Sequence, residues 1–204
     1  MFRLIALVIG YLLGGIQTAI VYSRLQGTDI REHGSGNAGS TNILRVFGKK
    51  AALTVFIGDL LKAIIAVVVS RLLFPEDSII AGLYAAIGAI IGHSYPMFFG
   101  FKGGKGIAVT VGSIYFIDVR IGIIVSIIFL ISAYLTKIVS LSSMLLTASI
   151  PILIYLFHRY QPSVTEAVIL GATISFITIF RHRSNIKRIM KGTESKLGQK
   201  KEQQ

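Results

Sequence analysis

The sequence predicts an all-α, polytopic membrane helix bundle of about seven transmembrane segments, some of them short or partial. Three observations predict it. Apolar residues make up 53% of the 204-residue chain and charged residues 15%, against roughly 45–50% and about 25% in soluble domains. The apolar residues come in runs close to the roughly 20 residues that cross a ~30 Å hydrocarbon core. Glycine-rich and basic stretches fill the gaps between those runs.

Residues 3–22 form the first span. A signal peptide would be shorter and end at a small-residue cleavage site. Tyr22-Ser23-Arg24-Leu25 follows instead, so the helix is expected to be retained. The second span is 51–74, with Asp59 and Lys62 inside it, and Pro75-Glu76-Asp77 turns the chain into a third span at 79–99. A polar loop occupies 100–106. Residues 107–117 are too short to cross, Asp118 and Arg120 interrupt, and 121–136 is slightly short; 107–136 therefore reads as a hairpin of two short or partial helices. Residues 138–157 span, with a kink expected at Pro151, and 164–180 make the last span. Residues 1–194 read as one integral-membrane domain and 195–204 as a polar, disordered tail.

The net charge of +12 collects in a few loops. In so apolar a chain it sets topology, and no nucleic acid partner is expected. Arg24, Arg31, Arg45, Lys49, Lys50, Lys102, Lys105, Lys137 and the C-terminal basic run fall on one side; only Arg3, Arg71, Arg120 and Arg159 fall on the other. Positive charge marks the cytoplasmic side. The N-terminus is thus expected outside and the C-terminus inside. Cysteine is absent, which removes disulfides, a thiol nucleophile and Cys-bound metal.

The chemistry-bearing stretch is H-G-S-G-N-A-G-S-T-N (33–42), followed by Arg45. Small residues let a ligand approach the backbone, and exposed N–H groups beside an arginine favour phosphate. Candidate phosphate ligands are Ser35, Gly36, Asn37, Gly39, Thr41, Asn42 and Arg45. The G-x-G-x-x-G string at 34–39 does not follow a strand, so no dinucleotide fold is expected. A nucleotide loop would also need a lysine that is missing here.

F-K-G-G-K-G (101–106) places Lys102 and Lys105 around glycines before an apolar helix, which suits a second anion: Gly103, Gly104 and Gly106 would form a backbone nest. In the basic run 181–194, His182 could serve as acid, base or phosphate donor. The arginines and lysines there read as lipid-anchoring side chains. Asp59 and Lys62 share one helix face and read as a structural ion pair. Ser142 and Ser143 lie deep enough for a substrate contact. No H-x-x-x-x-D, G-x-S-x-G or H-E-x-x-H string occurs, and nine acidic residues leave no Mg²⁺ cluster; no metal and no cofactor are expected. A small anion or phosphate-compound transporter would fit the basic glycine loops too.

G-Y-L-L-G-G-I-Q (10–17), G-S-G-N-A-G-S-T-N-I-L-R (34–45), G-H-S-Y-P-M-F-F-G-F-K-G-G-K-G (92–106) and H-R-S-N-I-K-R-I-M-K-G-T-E (182–194) together resemble the PlsY family, the bacterial acyl-phosphate:glycerol-3-phosphate acyltransferases. The resemblance covers nearly the whole chain. It implies a seven-helix, multi-pass enzyme of the bacterial inner membrane with its site facing the cytoplasm. Such an enzyme moves a fatty acyl group from acyl phosphate to the 1-hydroxyl of sn-glycerol 3-phosphate, giving lysophosphatidic acid and phosphate. Membrane lipids are its surroundings, and no acyl-CoA is expected. By the same resemblance Ser35, Arg45, His182 and Asn185 fall on catalytic positions. Residues 102–106 fall on the glycerol 3-phosphate site, Ser142 on a substrate-contacting serine and Glu194 on a structural position; His93, like Asp59 and Lys62, is read as structural. Gly15-Ile16-Gln17, Ala63 and Ser184 depart from the family pattern.

Overall fold

The computed structural model of the chain describes residues 1–198, whose regular secondary structure is all helical, with no strand among them. The α-helices are α1 (Phe2–Gly14), α2 (Thr18–Leu25), α3 (Ser40–Leu73), α4 (Ser78–Ser94), α5 (Ile107–Ile117), α6 (Val119–Thr136), α7 (Val139–His158), α8 (Val164–Arg181) and α9 (Arg183–Met190). Six segments are long and apolar enough to cross a membrane, and α5 is a shorter apolar helix. Its 11 residues rise only ~16 Å, about half the hydrocarbon core.

α4 is the hub. It packs on α1, α3, α5 and α8. Its contact with α1 is backbone against backbone: Gly10 and Gly14 face Ala85 and Ala89, while Gly88 and Gly92 face Leu7 and Tyr11. Each glycine leaves a space that a Cβ would fill with a collision. Facing small-x-x-x-small pairs are how apolar helices associate when lipid offers no hydrophobic incentive. Large apolar side chains such as Leu61, Leu130, Ile152 and Phe176 point outward and are exposed.

Four elements differ from the sequence expectation. The first span breaks at Gly15–Gln17, because Lys62 Nζ takes the Ile16 carbonyl (2.5 Å) and Gln17 Nε2 donates to the His93 carbonyl (3.1 Å). The second span starts at Ser40, so Ser40, Thr41, Asn42 and Arg45 are helical; Gly48, at φ 82°, sets this first segment off from the rest of α3. The third span ends as an α-helix at Ser94, before Pro96. Residues 119–136 form one full-length helix: Asp118 caps it by accepting from the Arg120 N–H (2.9 Å) and pairing with its guanidinium (2.6 Å), so these charges begin α6 rather than interrupt it.

α7 runs unbroken through Pro151. Proline leaves the carbonyl of Thr147, four residues back, without its helical donor. Ser175 Oγ of α8 donates to it instead. Such replacement is what lets proline persist within an apolar span.

The connections sort to two ends. At one, Arg3 pairs with Glu166 (2.6 Å), Arg71 donates to the Phe116 and Ile117 carbonyls, and His158 Nε2 lies 3.0 Å from Asp118. At the other, Arg31 donates to the Phe99 carbonyl (2.7 Å), Arg181 to the Gly103 and Gly104 carbonyls, and Leu197 N–H to the Lys137 carbonyl (2.7 Å). The three polar stretches of the sequence meet at this second end. Leu197 thereby joins the domain expected to end at 194; residues 199–204 of the expected tail lie outside the described residues.

Candidate active site

Asn42 shapes the first loop. Its Oδ1 accepts from the Ser35 N–H (2.8 Å), and its Nδ2 donates to the His33 (2.9 Å) and Ile30 (3.3 Å) carbonyls. That uses the amide on backbone, so Asn42 braces the loop instead of meeting a phosphate. The Gly36 N–H is also spent, on the His33 carbonyl (3.0 Å). Gly39 is the extended N-cap of α3. The first turn beyond it leaves the Ser40 and Thr41 N–H groups without backbone acceptors among the described residues, and the positive end of the helix dipole lies there. Arg45 follows one turn later, exposed.

The second loop is not the expected nest. Gly103 N–H donates to the Ser94 carbonyl (3.2 Å) and Gly104 N–H to the His93 carbonyl (3.0 Å). Their carbonyls accept from Arg181 (3.2 and 3.0 Å). The peptide groups are therefore occupied from both sides, and the glycines serve close packing: a Cβ at Gly104 would strike the His93 ring. Gly106, at φ 83°, caps α5. Lys102 and Lys105 are left to meet an anion with their side chains.

The third stretch supplies a chain of hydrogen bonds. Lys105 Nζ donates to Asn185 Oδ1 (2.6 Å), and Asn185 Nδ2 donates to Glu194 Oε1 (2.6 Å). Ser140 Oγ (2.7 Å) and Arg188 Nε (2.6 Å) donate to the same carboxylate. Burial pushes the Glu194 carboxyl up, but these three donors outweigh it and hold it below the usual range. Burial, then repulsion from Arg188, lowers the Lys105 ammonium to about 8. His182 is buried, which pushes its imidazole down to about 4 and keeps it neutral. Its Nδ1 contacts the Thr178 carbonyl (2.8 Å), which can only accept; the ring hydrogen is therefore on Nδ1 and Nε2 carries a lone pair.

Two cavities meet here. The first, about 930 Å³, is lined by the cations Arg24, Arg31, Lys102, Lys105, Arg181, Arg183 and Arg188, which outnumber the two carboxylates Asp29 and Glu32, and by Gly36, Gly103, Phe98, Phe99 and Phe101. The second, about 950 Å³, is lined by Gly39, Thr41, Arg45, His182, Asn185 and Glu194 at one part and by Val46, Phe56, Ile107 and Phe129 at another. Ser35, Asn37, Lys105 and Arg188 line both. Ser142 lines neither. It is fully buried and donates to the Ile138 carbonyl (3.1 Å), and its neighbours Ser140 and Ser143 face the second cavity. Ser195, Lys196 and Leu197 also line that cavity.

The sequence reading missed Arg31, Arg181, Arg183 and Arg188 as site residues, taking the last three as lipid anchors. The strong amphipathicity of R-S-N-I-K-R-I-M was the available signal: a short helix with one polar face covers something polar.

The sequence profile of the glycerol-3-phosphate acyltransferase family matches residues 4–192. The glycerol-3-phosphate acyltransferase of Clostridioides difficile (strain 630) is 41% identical over 203 residues, 98% of this chain and 97% of the relative. That of Halalkalibacterium halodurans is 41% identical over 198 residues, 96% of each. Two crystal structures of PlsY (YgiH), an integral membrane glycerol 3-phosphate acyltransferase, share the fold at 34% identity. Its glycerol 3-phosphate form superposes with a TM-score of 0.86 over 96% of each chain, and its lysophosphatidic acid form with 0.84 over 96% of this chain and 95% of that one. The chain belongs to the glycerol-3-phosphate acyltransferase family.

Proposed function

We propose that this multi-pass membrane protein transfers a fatty acyl group from acyl phosphate to the 1-hydroxyl of sn-glycerol 3-phosphate, releasing lysophosphatidic acid and phosphate. One observation carries the reading: a cationic cavity and a part-apolar cavity adjoin, with Ser35, Asn37, Lys105 and Arg188 common to both. Two anions can thus be held side by side. The cationic cavity takes glycerol 3-phosphate on Lys102, Lys105 and Arg181. The other takes the acyl phosphate, with its phosphate on Arg45, Ser35 and the first turn of α3 and its tail along Val46, Phe56 and Phe129. Each CH₂ withdrawn from water contributes ~0.8 kcal/mol.

Acyl phosphate is a reactive mixed anhydride, so positioning and charge stabilisation carry most of the catalysis. The 1-hydroxyl oxygen attacks the acyl carbon, and the C–O bond to phosphate breaks with its electron pair leaving on phosphate. The hydroxyl proton goes to His182 Nε2, which is neutral and unprotonated, or to an oxygen of the departing phosphate. The positive end of the bundle faces the cytoplasm of the bacterial inner membrane by the positive-inside rule.

The test is detergent-solubilised protein supplied with both substrates. Lysophosphatidic acid and phosphate should form one to one. Binding of either anion without turnover would overturn the reading in favour of an anion carrier. His182→Ala decides the proton's destination: a loss of ~10²-fold or more assigns it to the imidazole, and near-normal turnover assigns it to phosphate.

A further inference from the structure

At the wall of the second cavity lies a buried group that the chemistry above does not use. Asp59 and Lys62 are on α3 and His93 near the end of α4, each at most 5% exposed. The Lys62 ammonium has three hydrogens and three acceptors: the Ile16 carbonyl (2.5 Å), Asp59 Oδ1 (2.8 Å) and His93 Nδ1 (2.9 Å). Asp59 Oδ1 also accepts from Thr18 Oγ1 (3.0 Å). An ammonium only donates, so Nδ1 is the accepting nitrogen and the ring hydrogen of His93 is on Nε2. The charge pair thus sets both the orientation and the tautomer of the imidazole.

His93 then acts upward. It lines the second cavity, as does Asp59. Its ring edge lies against Gly104, where a Cβ would collide with Nε2. Its carbonyl accepts from the Gly104 N–H (3.0 Å) and from Gln17 Nε2 (3.1 Å). One residue therefore supports the second loop through both ring and backbone, and Lys105 is the next residue along. A plain brace between α3 and α4 would need neither the imidazole nor the loop contact, and replacing a buried ion pair by apolar residues is often neutral or stabilising.

We propose that Asp59, Lys62 and His93 are positioning residues for glycerol 3-phosphate: they hold the Gly103–Gly104 segment, and through it place the Lys105 ammonium where the two cavities meet. The inference rests on the acyl-transfer reading of the same site.

The test uses the full chain in detergent. His93→Ala removes ring and tautomer control. The pair Asp59→Leu with Lys62→Met removes the charges together, so that no lone buried charge threatens folding. His93→Asn keeps an acceptor for Lys62 without the ring edge. The KM for glycerol 3-phosphate should rise about tenfold or more in His93→Ala and in the double variant, and less in His93→Asn, while kcat and the KM for acyl phosphate stay within about threefold. An unchanged KM for glycerol 3-phosphate overturns the proposal. So does a fall in kcat alone, or a rise in both KM values together with a lower melting temperature, which is the signature of a brace. If the wild type binds glycerol 3-phosphate but makes no product, the acyl-transfer reading falls. Calorimetric Kd values then decide the positioning role: about tenfold weaker binding in the variants supports it, and equal binding overturns it.

Discussion

Lys105 is the cation at the cavity junction whose charge changes near neutral pH. Burial, reinforced by Arg188, places it at about 8, and its Nζ is 2.6 Å from Asn185 Oδ1. A phosphate monoester with a second pKa near ~6 is fully dianionic at higher pH. His182, at about 4, stays neutral. Alkaline pH therefore isolates one event in binding, the loss of the Lys105 proton. The ammonium fraction falls from about 0.9 at pH 7 to about 0.1 at pH 9. The KM for glycerol 3-phosphate should rise ~tenfold over that interval, equivalent to ~1.4 kcal/mol. The Lys105 titration does not itself weaken the fold over this range. A lysine whose folded pKa is below its ordinary 10.5 binds more protons when unfolded, so its contribution to stability rises with pH between about 8 and 10.5. The assay is initial rates at saturating acyl phosphate, corrected for its spontaneous hydrolysis. Lys105→Arg keeps its charge and should flatten the profile; Lys105→Met should give a high, pH-independent KM. A flat wild-type profile, or an alkaline limb that persists in Lys105→Arg, would refute the reasoning.

Glu194→Gln keeps the side-chain size but replaces an accepting oxygen with a donor, leaving Arg188 or Asn185 facing like polarity. Charge-assisted bonds of this kind contribute ~1.5–3 kcal/mol each. Thermal unfolding should therefore move down by several degrees, about 2–4 °C per kcal/mol at this size, with turnover falling as Asn185 and Lys105 lose support. Unchanged melting and activity would remove Glu194 from the site. Gly88→Ala places a methyl against the Leu7 carbonyl in the α1–α4 contact. Overpacking there costs ~1–3 kcal/mol, and the melting temperature should fall while both KM values hold; a shifted KM would mean that this contact reaches the cavities.

Much of this molecule is legible along the chain, because apolar run length is a local property. The helices, the polar end and the Ser35–Arg45 stretch all follow from it. All but one of the misreadings at the site and its surroundings share a cause: the deciding neighbour lies elsewhere in the sequence, the exception being the local cap at Asp118. Gly103 and Gly104 look like a phosphate nest, and the same glycines suit close packing; His93 and Arg181 decide between the two. Asn42 looks like a ligand until the carbonyls of Ile30 and His33 claim its amide. Ser142 and Ser140 differ by two positions on one helix, and only the placement of Glu194 shows which of them faces the cavity. Asp118 and Arg120 read as an interruption because charge count ignores capping.

The surplus of positive charge acquires a local meaning once the acids are placed. Asp29 pairs with Arg31, Asp59 with Lys62, Asp118 with Arg120, Glu166 with Arg3 and Glu194 with Arg188. Each of these carboxylates is committed to a neighbouring cation. Among the described residues, Lys102, Arg183 and Arg45 line the cavities without an ion-pair partner. Arg181 spends its guanidinium on peptide carbonyls and forms no ion pair among the described residues. Two adjacent anions would repel each other strongly in a site shielded from water. If the site takes two anions as proposed, these cations would offset that repulsion. Arg188 shows how far the arrangement goes: its Nε is held by Glu194, and the side chain still borders both cavities. On the proposed acyl-transfer reading, the positive charge expected to orient the bundle is also the charge that would let two phosphates share one end of it.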